Sequence, residues 1–329
     1  MRARRAQRPR VTIITPASAA SNTGNWHTAA RWARFLRAEY RVEVAGSWLA
    51  QGEPKAPDVL IALHARRSAQ SIAAFAAAFP ARPLIVVLTG TDLYRDIASD
   101  ADAQRSLALA SRLVVLNELG TRALPPRWRR KTEVILQSAP RLAPAVHSPR
   151  RLLVVTAGHL RAEKDPSLVM AVAAQVREPR IAFVHLGAAL DPALGAAARA
   201  TAALCARYRW LGELSRGRVR QWLRRADLLL HPSRMEGGAQ VVIEAITAGT
   251  PVVASDIDGN RGLLGVEYPG LFPVGDAAAC TELLERAARE PQFLRRLKRA
   301  CQKRAARFDP RREAAAVRRL VHQALAAAR

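Results

Sequence analysis

Leu228-Leu229-Leu230-His231-Pro232-Ser233-Arg234-Met235-Glu236-Gly237-Gly238-Ala239-Gln240-Val241-Val242-Ile243-Glu244-Ala245 reads as a strand, a loop and a helix in succession. Leu228–Leu230 is a short apolar run, closed by His231 and broken by Pro232, the pattern of a strand buried on both faces. Gly237 and Gly238 let the backbone approach a ligand closely, and the helix that follows, entered through Ala239 and Gln240, offers free N–H groups to phosphate oxygens. Glu244 falls about one turn into that helix, where a carboxylate accepts bonds from two vicinal hydroxyls of a ribose. Glu236 stands in the loop, within reach of a sugar hydroxyl. The alternative is a plain strand–turn–helix whose glutamates are solvated or capping. The Ala248-Gly249-Thr250-Pro251 turn and the apolar Val252-Val253-Ala254 beyond it favour a site, because they continue an open parallel sheet.

A second strand–turn–helix lies upstream, at Val154-Val155-Thr156-Ala157-Gly158-His159-Leu160-Arg161-Ala162-Glu163-Lys164-Asp165-Pro166. Lys164 stands just before a helix for which Asp165 is the expected N-cap. A compact ammonium there suits a diphosphate leaving group, whose charge grows as the bond to it breaks. Only five of the 52 basic residues are lysines, which makes this one conspicuous; a solvated lysine at a helix start is the plainer reading.

Outward from these motifs, short β-rich runs alternate with longer helical patterns twice over. Strands are expected at 11–15, 42–45, 59–63, 84–88, 113–116 and 133–136, and again at 152–156, 181–186, 209–211, 228–231, 251–254 and 271–274. Amphipathic stretches such as 26–39 and 67–79 lie between them, and Ser215 stands where it would cap a helix. The fold class is therefore α/β: two doubly wound, Rossmann-like domains, over 1–140 and 150–329, facing a central cleft where ligands gather at the carboxyl ends of the strands. The proline-bearing stretch Ser138–Pro149 is the expected linker. Asp309-Pro310 opens a final helix, 310–328, which can pack back on the first domain.

The first half supplies a second set of candidates. Its first strand runs into Pro16–Thr23 and then Gly24, Asn25 and Thr28, a glycine loop opening a helix where an anion can sit, or a turn that sterics alone require. The next strand ends carry His64 and Arg66, then Thr89, Gly90, Thr91, Asp92 and Arg95. Each alone is more often structural; their shared edge is what raises them as a group. Asn25, Thr28, Arg66, Thr89, Thr91 and Arg95 offer donors for an anion. His64 is a candidate to orient an acceptor and Asp92 to bind a hydroxyl.

Composition narrows the classes. At 329 residues, half of them apolar, the chain suits two ordinary domains with sizeable cores. No stretch of eighteen apolar residues lacks charge or proline, so no membrane insertion is expected. Met1–Arg10, with five arginines, reads as a basic tail before the first strand, because the apolar run after it is short and stopped by Pro16. Cys205, Cys280 and Cys301 show neither pairing nor metal spacing, which fits reduced thiols in the cytoplasm. The net charge of +25 attracts anions of every kind, but its arginine skew also fits codon bias. No basic run is interleaved with aromatics, so nucleic acid is not the expected partner.

Together the two donor-side motifs resemble the retaining GT-B glycosyltransferases of family 4, in order along the whole chain. The resemblance implies that Lys164 binds the diphosphate of a nucleotide sugar, Glu244 its ribose, and Glu236 with Gly237 and Gly238 its sugar and phosphate. Members commonly carry arginine after the glycine, where this chain has His159, so the second phosphate contact is either weaker or supplied by a neighbour such as Arg161 or Arg234. The words Gly158–Pro166, Tyr208–Gly212, Asp258–Gly265 and those of the first half are similar to one subgroup, the selenosugar synthases of selenoneine biosynthesis. That implies transfer of the sugar of a UDP-sugar, UDP-N-acetylglucosamine in that subgroup, to selenophosphate, with no metal and no cofactor beyond the donor. The rival readings are transfer to a lipid or small hydroxyl acceptor at a membrane surface, and a non-catalytic basic protein that binds nucleotides or nucleic acid.

Overall fold

The computed structural model describes residues 8–16, 24–49, 56–143, 145 and 151–328. The basic tail 1–7, most of the glycine loop (17–23), and Pro144 with 146–150 of the expected linker lie outside the described residues. The chain divides into two compact units, Met1–Gln137 with Pro310–Arg329, and Ser138–Asp309.

In the first unit, β1 (Arg10–Ile14), α1 (Gly24–Leu36), β2 (Arg41–Ala45), β3 (Val59–Leu63), α2 (Ala69–Ala78), β4 (Leu84–Val87), α3 (Ile97–Ser99), α4 (Ala101–Leu109), β5 (Arg112–Val115), α5 (Pro126–Arg129) and β6 (Thr132–Val134) follow one another. The strands form one parallel sheet in the order β2-β1-β3-β4-β5-β6. Alternate residues feed two cores, as the strand period requires. Val11, Ile13 and Ile61 meet Trp32 and Leu36 of α1 on one face. Ile14, Leu60 and Val86 meet Ile72, Phe75 and Leu107 on the other. Burial on both faces explains the unbroken apolar runs in the sequence.

The first unit is completed from the far end of the chain. The last helix, Pro310–Ala327, sets Val317, Leu320 and Val321 into the core beside α1. Its Glu313, fully buried, accepts from Arg31 Nε at 2.8 and 3.0 Å and from Trp32 Nε1 at 2.8 Å. Three charge-assisted bonds offset the desolvation of two buried charges.

The second unit runs β7 (Leu152–Ala157), α6 (Pro166–Gln175), β8 (Ile181–Leu186), α7 (Pro192–Leu204), β9 (Tyr208–Trp210), α8 (Arg216–Arg225), β10 (Leu228–His231), α9 (Gln240–Ala248), β11 (Val252–Ser255), α10 (Asp258–Leu264), β12 (Leu271–Phe272), α11 (Ala277–Arg289) and α12 (Pro291–Ala305), leaving α13 for the last helix already described. Its parallel sheet has the order β12-β11-β10-β7-β8-β9. The order reverses between β7 and β10, so a crevice opens at their carboxyl ends. Ser138–Leu142, read from sequence as part of a linker, is bound along this unit: Ala139 N–H donates to the Phe308 carbonyl and Leu142 N–H to that of Thr247. The prolines that break periodicity there do not prevent an extended segment from docking.

Candidate functional site

The two motifs of the second unit meet at that reversal point. β7 delivers Gly158 and, through a 3₁₀ turn at Ala162–Lys164, the Lys164 ammonium. β10 ends in His231, and its loop carries Glu236. Lys164 Nζ pairs directly with Glu236 Oε1, and His231 Nε2 lies 3.2 Å from the same oxygen, off the line of a hydrogen bond. His231 is buried, which pushes its pKa down against the pull of Glu236 and keeps it neutral. Burial pushes the Glu236 carboxyl up, but the Lys164 ammonium outweighs it and holds that group well below the usual carboxylate range. His231 was not singled out from the sequence; its place at the last residue of a strand before the acidic loop is the signal that marks it.

The loop is pinned from two sides. Arg234 N–H donates to the Glu163 carbonyl at 2.9 Å, tying the β10 loop to the β7 turn. Ser255 Oγ donates to the Ser233 carbonyl, and Asn260 Nδ2 donates to Ser255 Oγ at 3.1 Å. A Cβ on Gly259 would fall 1.9 Å from the Glu236 carbonyl oxygen, and one on Gly187 (φ +145°) 2.0 Å from that of Gly158. Glycine at both positions lets a neighbouring turn close against the site. Gly187, which follows β8 as Gly158 follows β7, carries a signal the sequence reading passed over.

Asp165 does not cap α6. It holds a left-handed backbone (φ 45°) and its carboxylate pairs with Arg234 Nη2 at 2.9 Å, since that guanidinium offers more than a backbone N–H does. Arg234 is thereby committed. Arg161 Nε is 4.0 Å from Glu163 and makes no hydrogen bond. His159 Nδ1 accepts from Ala188 N–H at 3.1 Å, so in its neutral form the ring presents Nε2–H as a donor. Gln240 spends its amide on the Ser138 carbonyl at 3.1 Å, leaving only its backbone at the site.

α9 begins at Gln240 with Ala239 as N-cap and no side-chain cap, whereas Asp191, Ser215 and Asp276 cap α7, α8 and α11. An uncapped first turn directs its N–H groups and the positive end of the dipole toward the glycine pair. Glu244, buried in this helix, accepts from Arg216 Nε at 2.8 Å and Nη2 at 2.7 Å, both on Oε1, while Oε2 takes no bond from a described residue. Arg216, the first residue of α8, was not foreseen. Thr156 Oγ1, Ser233 Oγ and Asn260 Oδ1, buried in the same unit, have no hydrogen-bond partner among the described residues.

In the first unit, β3 and β4 bring their end residues together, with sharper roles than the sequence allowed. Asp92 is fully buried and accepts from Ala65 N–H (2.8 Å), Thr89 N–H (2.7 Å) and Thr89 Oγ (2.8 Å), so it clamps the two strand ends and is closed off from a ligand hydroxyl. Thr89 is spent in the same clamp. Thr28 is buried as well: its hydroxyl donates to the Gly24 carbonyl and accepts from Gln137. These short side chains satisfied their own backbone first.

What remains toward solvent is cationic. Arg66 Nε (2.9 Å) and Arg95 Nε (3.0 Å) share the Asp96 carboxylate, which burial pushes up and the two guanidiniums hold down. His64, left-handed at φ 71°, takes Arg67 N–H on Nδ1 at 3.3 Å and therefore donates Nε2–H to Thr91 Oγ at 3.0 Å. Burial lowers its pKa despite Asp92 at 3.9 Å, so the ring is neutral and Thr91 O–H is left to donate outward. Gly90 is half-buried beside Thr91; in the first turn of α1 Gly24 is exposed and Asn25 half-buried.

Among the described residues no three His, Cys, Asp or Glu side chains gather where they could hold a metal ion, and no helix is long and apolar enough to cross a membrane.

Residues 143–304 match the family model of glycosyl transferases group 1. A D-inositol 3-phosphate glycosyltransferase of Frankia alni is 35% identical over 108 residues, 32% of this chain and 26% of that protein. A phosphatidyl-myo-inositol mannosyltransferase of Mycobacterium leprae is 40% identical over 78 residues, 23% of this chain and 21% of its own. The chain thus spans about a quarter of the length of these curated relatives. Whole-chain likeness appears among solved structures. A sucrose-phosphate synthase from Thermosynechococcus elongatus superposes at TM-score 0.77 and 16% identity, covering 97% of this chain and all of that one. HepE of Anabaena in complex with UDP-glucose gives 0.75 and 16%, over 96% of this chain and all of its own. The fold of the chain is that of these structures: GT-B, with two parallel six-stranded sheets flanked by helices.

Proposed function

We propose, from the premise that the second unit is a group 1 glycosyl transferase domain, that the chain transfers the sugar of a UDP-sugar to selenophosphate and releases UDP. The observation that carries the reading is the Lys164–Glu236 pair beside the uncapped first turn of α9. A diphosphate arriving there competes for the Lys164 ammonium and receives the α9 N–H groups, while Glu236, freed from Lys164, turns its carboxylate to a sugar hydroxyl. Glu244 Oε2 takes the ribose hydroxyls, and His159 Nε2–H, with Arg161, supplies the weaker second phosphate contact.

Selenophosphate as acceptor is supported by the resemblance of the sequence words and by the cations of the first unit, where Arg66, Arg95 and Thr91 O–H suit an anion and no ionised base is required. Selenium donates a lone pair to the anomeric carbon, the carbon–oxygen bond to UDP breaks, and UDP departs with that electron pair. The nucleophile is already anionic, so no proton has to be removed. His64 orients Thr91.

The test is to incubate the protein with UDP-N-acetylglucosamine, with and without fresh selenophosphate, and follow UDP and sugar products by mass spectrometry. UDP release that requires selenophosphate, with a selenium isotope pattern in the product, is the expected result. UDP release only with hydroxyl or lipid acceptors would retain sugar transfer and remove selenophosphate. No UDP release from any nucleotide sugar would overturn both.

A further inference from the structure

The second unit has another cationic concavity, at the edge of its sheet opposite the Lys164–Glu236 site. A cavity of about 380 Å³ opens at the amino ends of β7, β8 and β9, against the last turn of α8. The half-buried Trp222 gives it an apolar wall, while Phe183 of its lining is itself buried. Arg151, Arg207, Arg209 and Arg225 line it; Asp227, the one carboxylate of the lining, accepts Leu153 N–H at 2.7 Å. Arg207 donates to the Glu178 carbonyl at 2.9 Å, while Arg151, Arg209 and Arg225 are exposed and make no ion pair among the described residues. Leu204 ends α7 at 89% exposure, two residues before Ala206 of the same lining.

Four guanidiniums face a single carboxylate here, and a further anion relieves the excess of positive charge that they leave. Guanidinium forks match phosphate oxygens, and an indole face matches a nonpolar group. We infer that this groove binds a phosphate-bearing ligand with an apolar portion, the phosphate on Arg209 and Arg225 and the apolar portion along Trp222 and Leu204. The inference is independent of the donor and acceptor readings, which concern the carboxyl edges of the sheets. A phospholipid in a bilayer and a free phosphorylated amphiphile share this chemistry.

Dihexanoyl phosphatidylglycerol below its micellar concentration is the probe, titrated by calorimetry into the full chain, into R209Q/R225Q, and into R295Q/R296Q, which makes the same charge change on exposed positions of α12. The expected result is binding to wild type and the α12 variant, weakened about tenfold or more in R209Q/R225Q. Co-sedimentation of wild type, but not of R209Q/R225Q, with phosphatidylglycerol vesicles assigns the ligand to a bilayer. Binding of the monomeric lipid without co-sedimentation assigns it to a free amphiphile. Absence of binding to wild type overturns the inference, as does equal weakening in both variants. Glycerol phosphate binding as tightly as the lipid overturns the apolar part.

Discussion

Glu236 Oε1 is shared by an ammonium and a neutral imidazole, and that sharing fixes what each residue can be asked to do. On the proposed reading, Lys164→Ala lowers kcat by roughly 10²- to 10³-fold, as loss of one preorganised charge at a departing anion does. Glu236→Gln instead releases Lys164 and raises KM for the nucleotide sugar; steady-state kinetics with varied donor separate the two, and equal effects on kcat alone would contradict the division of roles. His185 offers a test of stability. It is buried against Tyr208 at 3.0 Å, and burial pushes its pKa down to about 4. Its folded pKa lies below the unfolded value, so the unfolded chain binds more protons between about pH 6.5 and 4, and stability rises with pH through that window. Urea midpoints should fall on acidification by an amount equivalent to about 3 kcal/mol, and His185→Gln should flatten that slope. At this scale the sequence picked out Lys164, Glu236 and Glu244 as candidates, because charge beside a glycine turn is rare without a reason, and the fold brings the first two into contact. It could not tell that Asp92, Thr89 and Thr28 face inward, since a short polar side chain at a strand end serves its own backbone as readily as a ligand.

The turns between elements are where small residues matter most. Gly259 opens α10 against the Glu236 carbonyl, and a methyl group there has no room. Gly259→Ala is expected to cost more than about 2 kcal/mol through backbone overlap, or to push the β10 loop aside. Either outcome raises KM for the nucleotide sugar, whereas Gly217→Ala on α8, with open space around it, should leave KM unchanged. Strand positions were legible nearly to the residue, because buried parallel strands are short apolar runs between helices. Helix ends were not: α1 starts at Gly24 and stops at Leu36, where Tyr40 N–H folds back onto its last carbonyl. The Asp165 side chain was read as a cap because Asp-Pro is the common cap signature, and it lost that role to Arg234, which is distant in sequence.

For the molecule as a whole, the last helix is the tie that holds the first unit together. Glu313→Ala leaves Arg31 buried without its carboxylate and should cost about 3–5 kcal/mol in the unfolding of that unit. R31M/E313L, which removes both charges, should recover most of it; chemical denaturation followed by tryptophan fluorescence reads both. The sequence showed the amphipathic stripe of this helix but not its target, because a stripe fits any apolar face. The same closure sets a schedule for synthesis. The strands β1 to β6 leave the ribosome well before the last helix, and their sheet lacks one covering helix until Pro310–Ala327 follows, some 170 residues after Gln137. At cellular elongation rates that is roughly 10–35 s. During that interval the second unit can fold while the first waits with Trp32 and Leu36 uncovered, so a nascent chain stalled short of residue 310 is the form most in need of a chaperone.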